Sequence, residues 1–163
     1  NIINVLRRIV MADTYSQIYI QTVFAVQGRH GLIARKHKYE LYKYITGIVT
    51  NKGHKLIRIN GTPDHTHILI GLKPNLALSD LVRDIKANSS KFINEKRWII
   101  GKFNWQEGFG AFSYGHSQLD QVIKYINNQE THHRKSTFRE EYFKLLKKFH
   151  VEFNDKYLFD WIE

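Results

Sequence analysis

The segment Pro63-Asp64-His65-Thr66-His67-Ile68-Leu69-Ile70-Gly71-Leu72 decides the fold, because it has the pattern of a β-strand and carries chemistry on one side. Successive strand residues point to opposite faces of a sheet. One face then carries Thr66, Ile68, Ile70 and Leu72, and the other carries His65, His67, Leu69 and Gly71. We expect the isoleucine face under helices and both histidines on the open face. Two imidazoles presented together can bind a divalent metal ion, whereas a lone strand histidine is usually structural.

The segments on either side of this strand predict a ferredoxin-like fold. Strands are predicted at Tyr15–Val26, Lys55–Asn60, His65–Leu72 and Gly108–Tyr114, and helices at His37–Lys52, Leu76–Trp98, Ser117–His132 and Thr137–Phe149. The order β-α-β-β-α-β-α is the split β-α-β pattern of ferredoxin-like and RRM-like domains. The predicted class is therefore α+β, with an antiparallel four-stranded sheet, helices on one face and extra C-terminal helices. Such a fold leaves the second face of the sheet available.

Length and composition predict a single cytoplasmic domain over residues 11–163. The chain has 163 residues and no cysteine, which excludes disulfides and thiolate metal sites and fits a bacterial cytoplasmic protein. Its only methionine is Met11, so residues 1–10 are interpreted as a leader or other appended sequence. No apolar run approaches the roughly 20 residues of a membrane span, and no membrane partner is expected.

The formal net charge of +10 and the many aromatic residues favour a nucleic-acid partner. Each basic cluster could instead be a solvated helix face, and a membrane surface or an acidic protein could also bind such charge. Neither of those partners explains the paired histidines. The candidate nucleic-acid contacts are Tyr15, Tyr19, Arg29, Arg35, Lys36, Lys86, Lys91, His132 and Arg134.

The helix predicted after Ser117 carries a tyrosine outside its apolar stripe. The stripe consists of Leu119, Val122, Ile123 and Ile126. Tyr125 lies off that stripe, and Gln129 follows it by one turn on the same side. Gln129 could give a metal ion a third ligand through its oxygen, and a phenol beside that ion is a candidate nucleophile for a phosphodiester.

Attack by Tyr125 would form a covalent phosphotyrosine and release the opposite strand end as a free hydroxyl. Because the bond energy is conserved, the strand could be rejoined to another end. A cluster of Asp and Glu residues, which a two-metal nuclease requires, is not evident in the sequence.

Together these motifs resemble the single-tyrosine, His-hydrophobe-His (HUH) transposases of small bacterial insertion sequences. The similarity rests on Pro63-Asp64-His65-Thr66-His67 followed by Ile68-Leu69-Ile70, and on Lys124-Tyr125-Ile126-Asn127-Asn128-Gln129. Thr66 stands where the family usually has a larger apolar residue. The resemblance implies a transposase that acts on single-stranded DNA hairpins at element ends, with Mg²⁺ or Mn²⁺ bound by His65, His67 and Gln129. It also implies a 5′-phosphotyrosine at Tyr125 and a homodimer, in which the tyrosine helix of one subunit can complete the partner's site.

Two other functions fit parts of the pattern. A non-enzymatic nucleic-acid-binding domain on the same scaffold would stack bases on Tyr15 and Tyr19, but it has no use for paired histidines opposite a tyrosine. An HUH nickase of replication or conjugation would share the chemistry without rejoining element ends.

The C-terminal segment has two interpretations. Its basic residues could contact DNA, or they could belong to a mixed, solvated helix together with the neighbouring acids. The basic residues are Arg139, Lys144, Lys147 and Lys148, and the acids are Glu140, Glu141, Glu152 and Asp155.

Overall fold

Four antiparallel strands form one sheet at the centre of the structure. The structure is a computed structural model that describes residues 14–162, so the interpretation of residues 1–10 lies outside the described residues. The strands are β1 (Ile18–Ala25), β2 (Lys55–Thr62), β3 (His65–Leu72) and β4 (Gly110–Tyr114). Their spatial order is β2-β3-β1-β4, as expected for a split β-α-β fold, and the predicted fold class is confirmed.

Within residues 14–162, five α-helices follow the predicted order, with one break. They are α1 (Lys38–Asn51), α2 (Leu78–Glu95), α3 (Leu119–Asn127), α4 (Gln129–His132) and α5 (Phe138–Lys148). The helix predicted over 117–132 is thus two helices that meet at Asn128. Ser117, the first residue of the predicted helix, lies instead inside the short 3-10 helix His116–Gln118, and the side-chain oxygen of Gln118 accepts from the Gly115 N–H. Among the helices of residues 14–162, none has both the length and the apolar character needed to cross a bilayer.

The first face of the sheet carries the larger core, under α1 and α2. Ile68 and Ile70 pack there with Phe24 of β1, so the predicted alternation along β3 is confirmed. Thr66 shares this face and is 1% exposed. No residue in the described part of the chain gives its hydroxyl a hydrogen-bond partner.

The second face is also covered, so the expectation of an open face is wrong. Val23 and Ala25 of β1 pack against the apolar side of α5, and Leu69 of β3 packs against Val122 and Ile126 of α3. The helices that cover this face, α3 and α5, lie far from β3 along the chain, so the sequence pattern around β3 does not indicate that they pack there.

A tight connection fixes the β3 end that carries the histidines. A Cβ atom on Gly61 would lie 2.1 Å from the carbonyl oxygen of His65, so only glycine allows β2 and β3 to approach this closely. The Val26 N–H donates to the Asp64 carbonyl (2.8 Å), and the Ile33 N–H donates to the Pro63 carbonyl (2.9 Å). These bonds attach the β2–β3 turn to the segment that follows β1.

Candidate metal centre and nucleophile

His65 and His67 lie side by side on the second face of the sheet. Their ring centroids are 5.0 Å apart, and both side chains are fully buried. The strand alternation therefore predicts their shared face correctly but not their burial. They lie beneath α3, α4 and α5 rather than in solvent.

Asp64 orients His65. Its Oδ1 lies 2.7 Å from His65 Nδ1 and also accepts from the Thr62 hydroxyl. Burial alone would raise the pKa of Asp64, but the hydrogen bond and the charge of His65 lower it to about 2. Asp64 therefore contacts a histidine directly. A carboxylate on Nδ1 directs Nε2 of the same ring toward the centre of the site.

Gln21 and Tyr114 orient His67. Gln21 is fully buried on β1 and donates from Nε2 to His67 Nδ1 (2.8 Å), while the Tyr114 hydroxyl donates to Gln21 Oε1 (2.7 Å). His67 Nε2 is buried, has no hydrogen-bond partner among residues 14–162, and lies 3.4 Å from Glu141 Oε1. An unpaired nitrogen that faces a carboxylate is an arrangement that a metal ion would satisfy.

Gln129 reaches the histidines because the helix breaks just before it. The Asn60 side chain on β2 donates to the carbonyls of Ile126 (2.8 Å) and Asn127 (3.0 Å), which attaches the end of α3 to the sheet. Gln129 then begins α4 as a fully buried residue, with Oε1 3.2 Å from His65 Nε2.

Tyr125 lies beside the same centre. Its ring centroid is 5.7 Å from that of His67, and its hydroxyl donates to Glu141 Oε1. The ring is half-buried, so the hydroxyl lies between the interior site and a cleft at the surface. The two predicted couples, His65 with His67 and Tyr125 with Gln129, therefore converge within one chain.

Glu141 on α5 joins these groups, and the sequence interpretation missed it. It is 2% exposed and accepts from Tyr125, from Gln129 Nε2 (2.9 Å) and from His133 Nε2 (2.5 Å). Burial would raise its pKa, but His67 and His65 lower it to about 2. A signal was present: Glu141 lies in the apolar stripe of α5, whose other buried residues are Phe138, Tyr142, Leu145 and Leu146.

The electrostatics of the centre concentrate one positive charge on His65. Burial alone would lower the pKa of His65, but Asp64 and Glu141 raise it to about 9. Burial lowers the pKa of His67, and burial together with the charge of His65 lowers that of His133 to about 3. The proton on His65 thus supplies positive charge beside Asp64 and Glu141, and a bound cation could supply that charge instead.

The donor set fits a divalent ion. One ligand atom from each of His65, His67 and Glu141 lies within 4.8 Å of the others, and all three residues are buried. The Gln129 oxygen adjoins the same Nε2 of His65. Two imidazole nitrogens with a carboxylate and an amide oxygen form a mixed set typical of divalent transition ions.

The predicted nucleic-acid contacts divide by position. His132 lies edge-on to Tyr125, with ring centroids 5.7 Å apart, while Arg35 and Arg134 line a depression beside α4. Arg35 is paired with Glu130 there. Lys86 and Lys91 lie on α2, which covers the opposite face of the sheet. Tyr15 and Tyr19 lie near the start of β1, and Arg29 and Lys36 lie in the connection between β1 and α1.

Distance and burial separate several of these residues from the centre. Tyr19 precedes Ala25, the strand partner of His65, by six residues, which corresponds to about 20 Å. Lys86 donates to the carbonyls of Gln106 (2.9 Å) and Gly108, and burial lowers its pKa to about 8. Of the predicted nucleic-acid contacts, His132, Arg35 and Arg134 are thus the ones that lie near α3 and α4.

Comparison with known proteins gives consistent matches. The family model described as IS200-like transposase matches residues 14–129. The ISDra2 transposase TnpA of Deinococcus radiodurans is 24% identical over 120 residues, covering 69% of this chain and 84% of the relative.

Two solved structures share the fold. A candidate transposase from Deinococcus radiodurans R1 has a TM-score of 0.56 at 21% identity, covering 73% of this chain and 95% of its own. A REP-associated tyrosine transposase bound to a REP hairpin has a TM-score of 0.58 at 14% identity, covering 94% of this chain and 96% of its own. The matched family segment ends before α5, so Glu141 lies outside it.

Proposed function

The chain belongs to the IS200-like transposase family, and from that premise we propose that it cleaves and rejoins single-stranded DNA through a 5′-phosphotyrosine at Tyr125. The observation that carries the proposal is the convergence of Tyr125, His65 and His67 on Glu141 inside one chain. A binding module would gain nothing from burying a charged centre of this kind, since such burial is costly.

The metal would be held by His65 Nε2, His67 Nε2 and Gln129 Oε1, with Glu141 as a further ligand. When bound, a divalent ion polarises a phosphate oxygen and offsets the charge that develops at phosphorus. Mg²⁺ is bound mainly through oxygen, whereas transition ions accept imidazole nitrogen, so this mixed donor set favours Mn²⁺ over Mg²⁺.

His67 needs a proton on Nδ1 in order to ligate through Nε2. In the structure Gln21 donates to that Nδ1. A half-turn of the Gln21 amide brings its oxygen to accept the Nδ1 proton and turns its nitrogen toward the Tyr114 hydroxyl. Gln21 is therefore a positioning residue for His67.

Tyr125 is the nucleophile in this proposal. Its oxygen forms a bond to phosphorus while the bond from phosphorus to the 3′ oxygen breaks, and that oxygen leaves as a hydroxyl after taking up a proton. Glu141 already accepts the phenolic hydrogen bond, so it is the group positioned to receive the proton of Tyr125. Attack by a 3′-hydroxyl on the phosphotyrosine reverses each of these transfers and rejoins the strand.

The proposed substrate is a single-stranded DNA hairpin in the bacterial cytoplasm. The basic charge of the chain supports a nucleic-acid substrate, and a neighbour in fold was solved with a hairpin. The tyrosine acts within its own chain in this proposal, because the hydroxyl already lies at the metal ligands of the same chain. The homodimer implied by the sequence resemblance stays a prediction, and the site as described needs no residue from a second copy.

The test is a denaturation-resistant adduct with hairpin DNA in the presence of Mn²⁺. A 3′ label on the DNA should remain with the protein, whereas a 5′ label should leave on a strand that ends in a free hydroxyl. Tyr125→Phe should form no adduct, and Tyr157→Phe, which changes an exposed tyrosine elsewhere, should match the wild type. An adduct of undiminished yield with Tyr125→Phe would contradict the proposal.

A further inference from the structure

A cleft between α3 and α5 leads from the surface to Tyr125. Its volume is about 220 Å³. Sites for drug-sized ligands occupy about 300–1,000 Å³, so this cleft admits a smaller group. Tyr125 and Glu141 both line it, and Glu141, which accepts from the Tyr125 hydroxyl, is buried, so the cleft gives access to that hydroxyl.

The lining of the cleft includes three kinds of group that can contact a nucleotide. Tyr114 and Tyr125 give aromatic surface, Gln118 and Gln121 give side-chain amides, and Lys144 and Lys148 give ammonium groups. The rest of the lining is Val122, His132, Glu141 and Leu145. Aromatic rings stack on nucleobases, amides hydrogen-bond their edges, and ammonium groups bind phosphate. Gln118 Oε1 already accepts from the Gly115 N–H, which leaves its NH₂ group to donate. This combination is the chemistry that recognises one nucleotide.

The two lysines follow Glu141 along the same side of α5. Lys144 and Lys148 are one helical turn apart, and both are exposed at the cleft. The charge of Lys144 adds to burial in lowering the pKa of His132 on the neighbouring helix. Lys147 is also exposed on α5 but does not line the cleft, so it offers a matched comparison.

We propose that this cleft is a nucleotide subsite, which holds the nucleotide next to the scissile phosphate of a single-stranded DNA substrate. The base lies against Tyr114 and within reach of Gln121, and the adjoining phosphates contact Lys144 and Lys148. The inference rests on the proposed function. It assigns substrate contacts to α5, which lies beyond the segment that the family model matches.

The first test compares charge reversals on the two sides of one helix. Binding is measured by fluorescence anisotropy in EDTA, with four homopolymeric oligodeoxynucleotides of about 12 nucleotides as probes. K144E and K148E should each weaken binding about tenfold and reduce the salt slope by about 1, as expected for one lost phosphate contact. K147E should change the affinity less than about twofold, because it makes the same change of charge outside the cleft.

The second test concerns the base. Gln121→Ala should alter the ranking of the four homopolymers, since an amide reads base edges while the lysines do not. Equal losses for K144E and K147E, or an unchanged ranking with Gln121→Ala, would overturn the subsite. Thermal unfolding of each variant ensures that only folded protein is compared.

The two proposals fail in distinguishable ways. A wild-type protein that forms no adduct with hairpin DNA contradicts the proposed function. A wild type that forms the adduct, together with K144E and K147E variants of equal affinity, contradicts the subsite alone.

Discussion

Glu141→Gln should destabilise the metal-free protein by about 3–5 kcal/mol. The carboxylate accepts hydrogen bonds from Tyr125, Gln129 and His133 at a site that is 2% exposed. An amide of the same shape keeps one oxygen and turns the other acceptor into a donor, which then faces other donors. Each buried donor left without a partner costs about 1–3 kcal/mol, and loss of one partner of a buried ion pair costs about 3–5 kcal/mol.

The measurement is urea and thermal unfolding, followed by circular dichroism at neutral pH in EDTA. For a domain of this size each kcal/mol lowers Tm by about 2–4 °C, so the variant should melt about 6–20 °C below the wild type. Glu152→Gln, which changes an exposed acid, should stay within about 0.5 kcal/mol of the wild type. A Glu141→Gln variant that loses less than about 1 kcal/mol would refute the role of this carboxylate as the centre of the network.

The loss of unfolding free energy in Glu141→Gln should become smaller as the pH rises. The pKa of His65 is raised from its usual 6.5 to about 9, so its interaction with Asp64 and Glu141 stabilises fully below pH 6.5 and is lost toward pH 9. The difference between those two pKa values corresponds to about 3 kcal/mol. The gap between the wild type and Glu141→Gln should therefore be largest near pH 6 and shrink by pH 9. A gap that grows over this range would contradict the assignment of the charge to His65.

Four further outcomes are expected. Mixing Tyr125→Phe with His65→Ala should restore no adduct, because both residues act in one chain; recovery would place the tyrosine in a partner's site. Gln21→Leu should weaken Mn²⁺ binding by about 10–100-fold in electron paramagnetic resonance titrations, whereas Gln21→Glu keeps an acceptor for His67 and should bind nearly as the wild type does; equal affinities would remove its positioning role. Mn²⁺ affinity should rise from pH 6 to pH 9 with release of a proton in calorimetry, since the ion displaces the proton of His65. Thr137→Ala should cost about 1 kcal/mol in urea unfolding, because the Thr137 side chain caps α5 by accepting from the Glu140 N–H; no change would mean that the cap is dispensable.

Local patterns predicted which residues lie together in the candidate site. Alternate residues of β3 share a face of the sheet, and Ile68 and Ile70 pack in the core. His65 and His67 were therefore predicted to lie together on the other face. Tyr125 was identifiable because it departs from the apolar stripe of its helix. Gln129 was also correctly placed near it, although the continuous helix expected there is interrupted at Asn128.

What local patterns could not predict is the cover over the second face. The contact between Glu141 and the histidines joins residues more than 70 positions apart in the chain. An amphipathic helix pattern indicates that α5 must pack, but not against which surface. Glu141 was therefore grouped with solvated acids such as Glu140, which lies at the exposed start of the same helix.

The charge balance of the centre explains why a divalent ion suits it better than a proton. Asp64 and Glu141 both have pKa values lowered to about 2, so each is negative at neutral pH. One imidazolium at His65 leaves this buried group with a net charge of −1, whereas a divalent ion with both histidines neutral brings it to zero. Burial of a net charge is costly, and a second proton on His67 is disfavoured because burial, with a smaller contribution from the charge of His65, lowers the pKa of His67. The carboxylate that the sequence interpretation missed thus supplies the second negative charge that makes the site one for a dication.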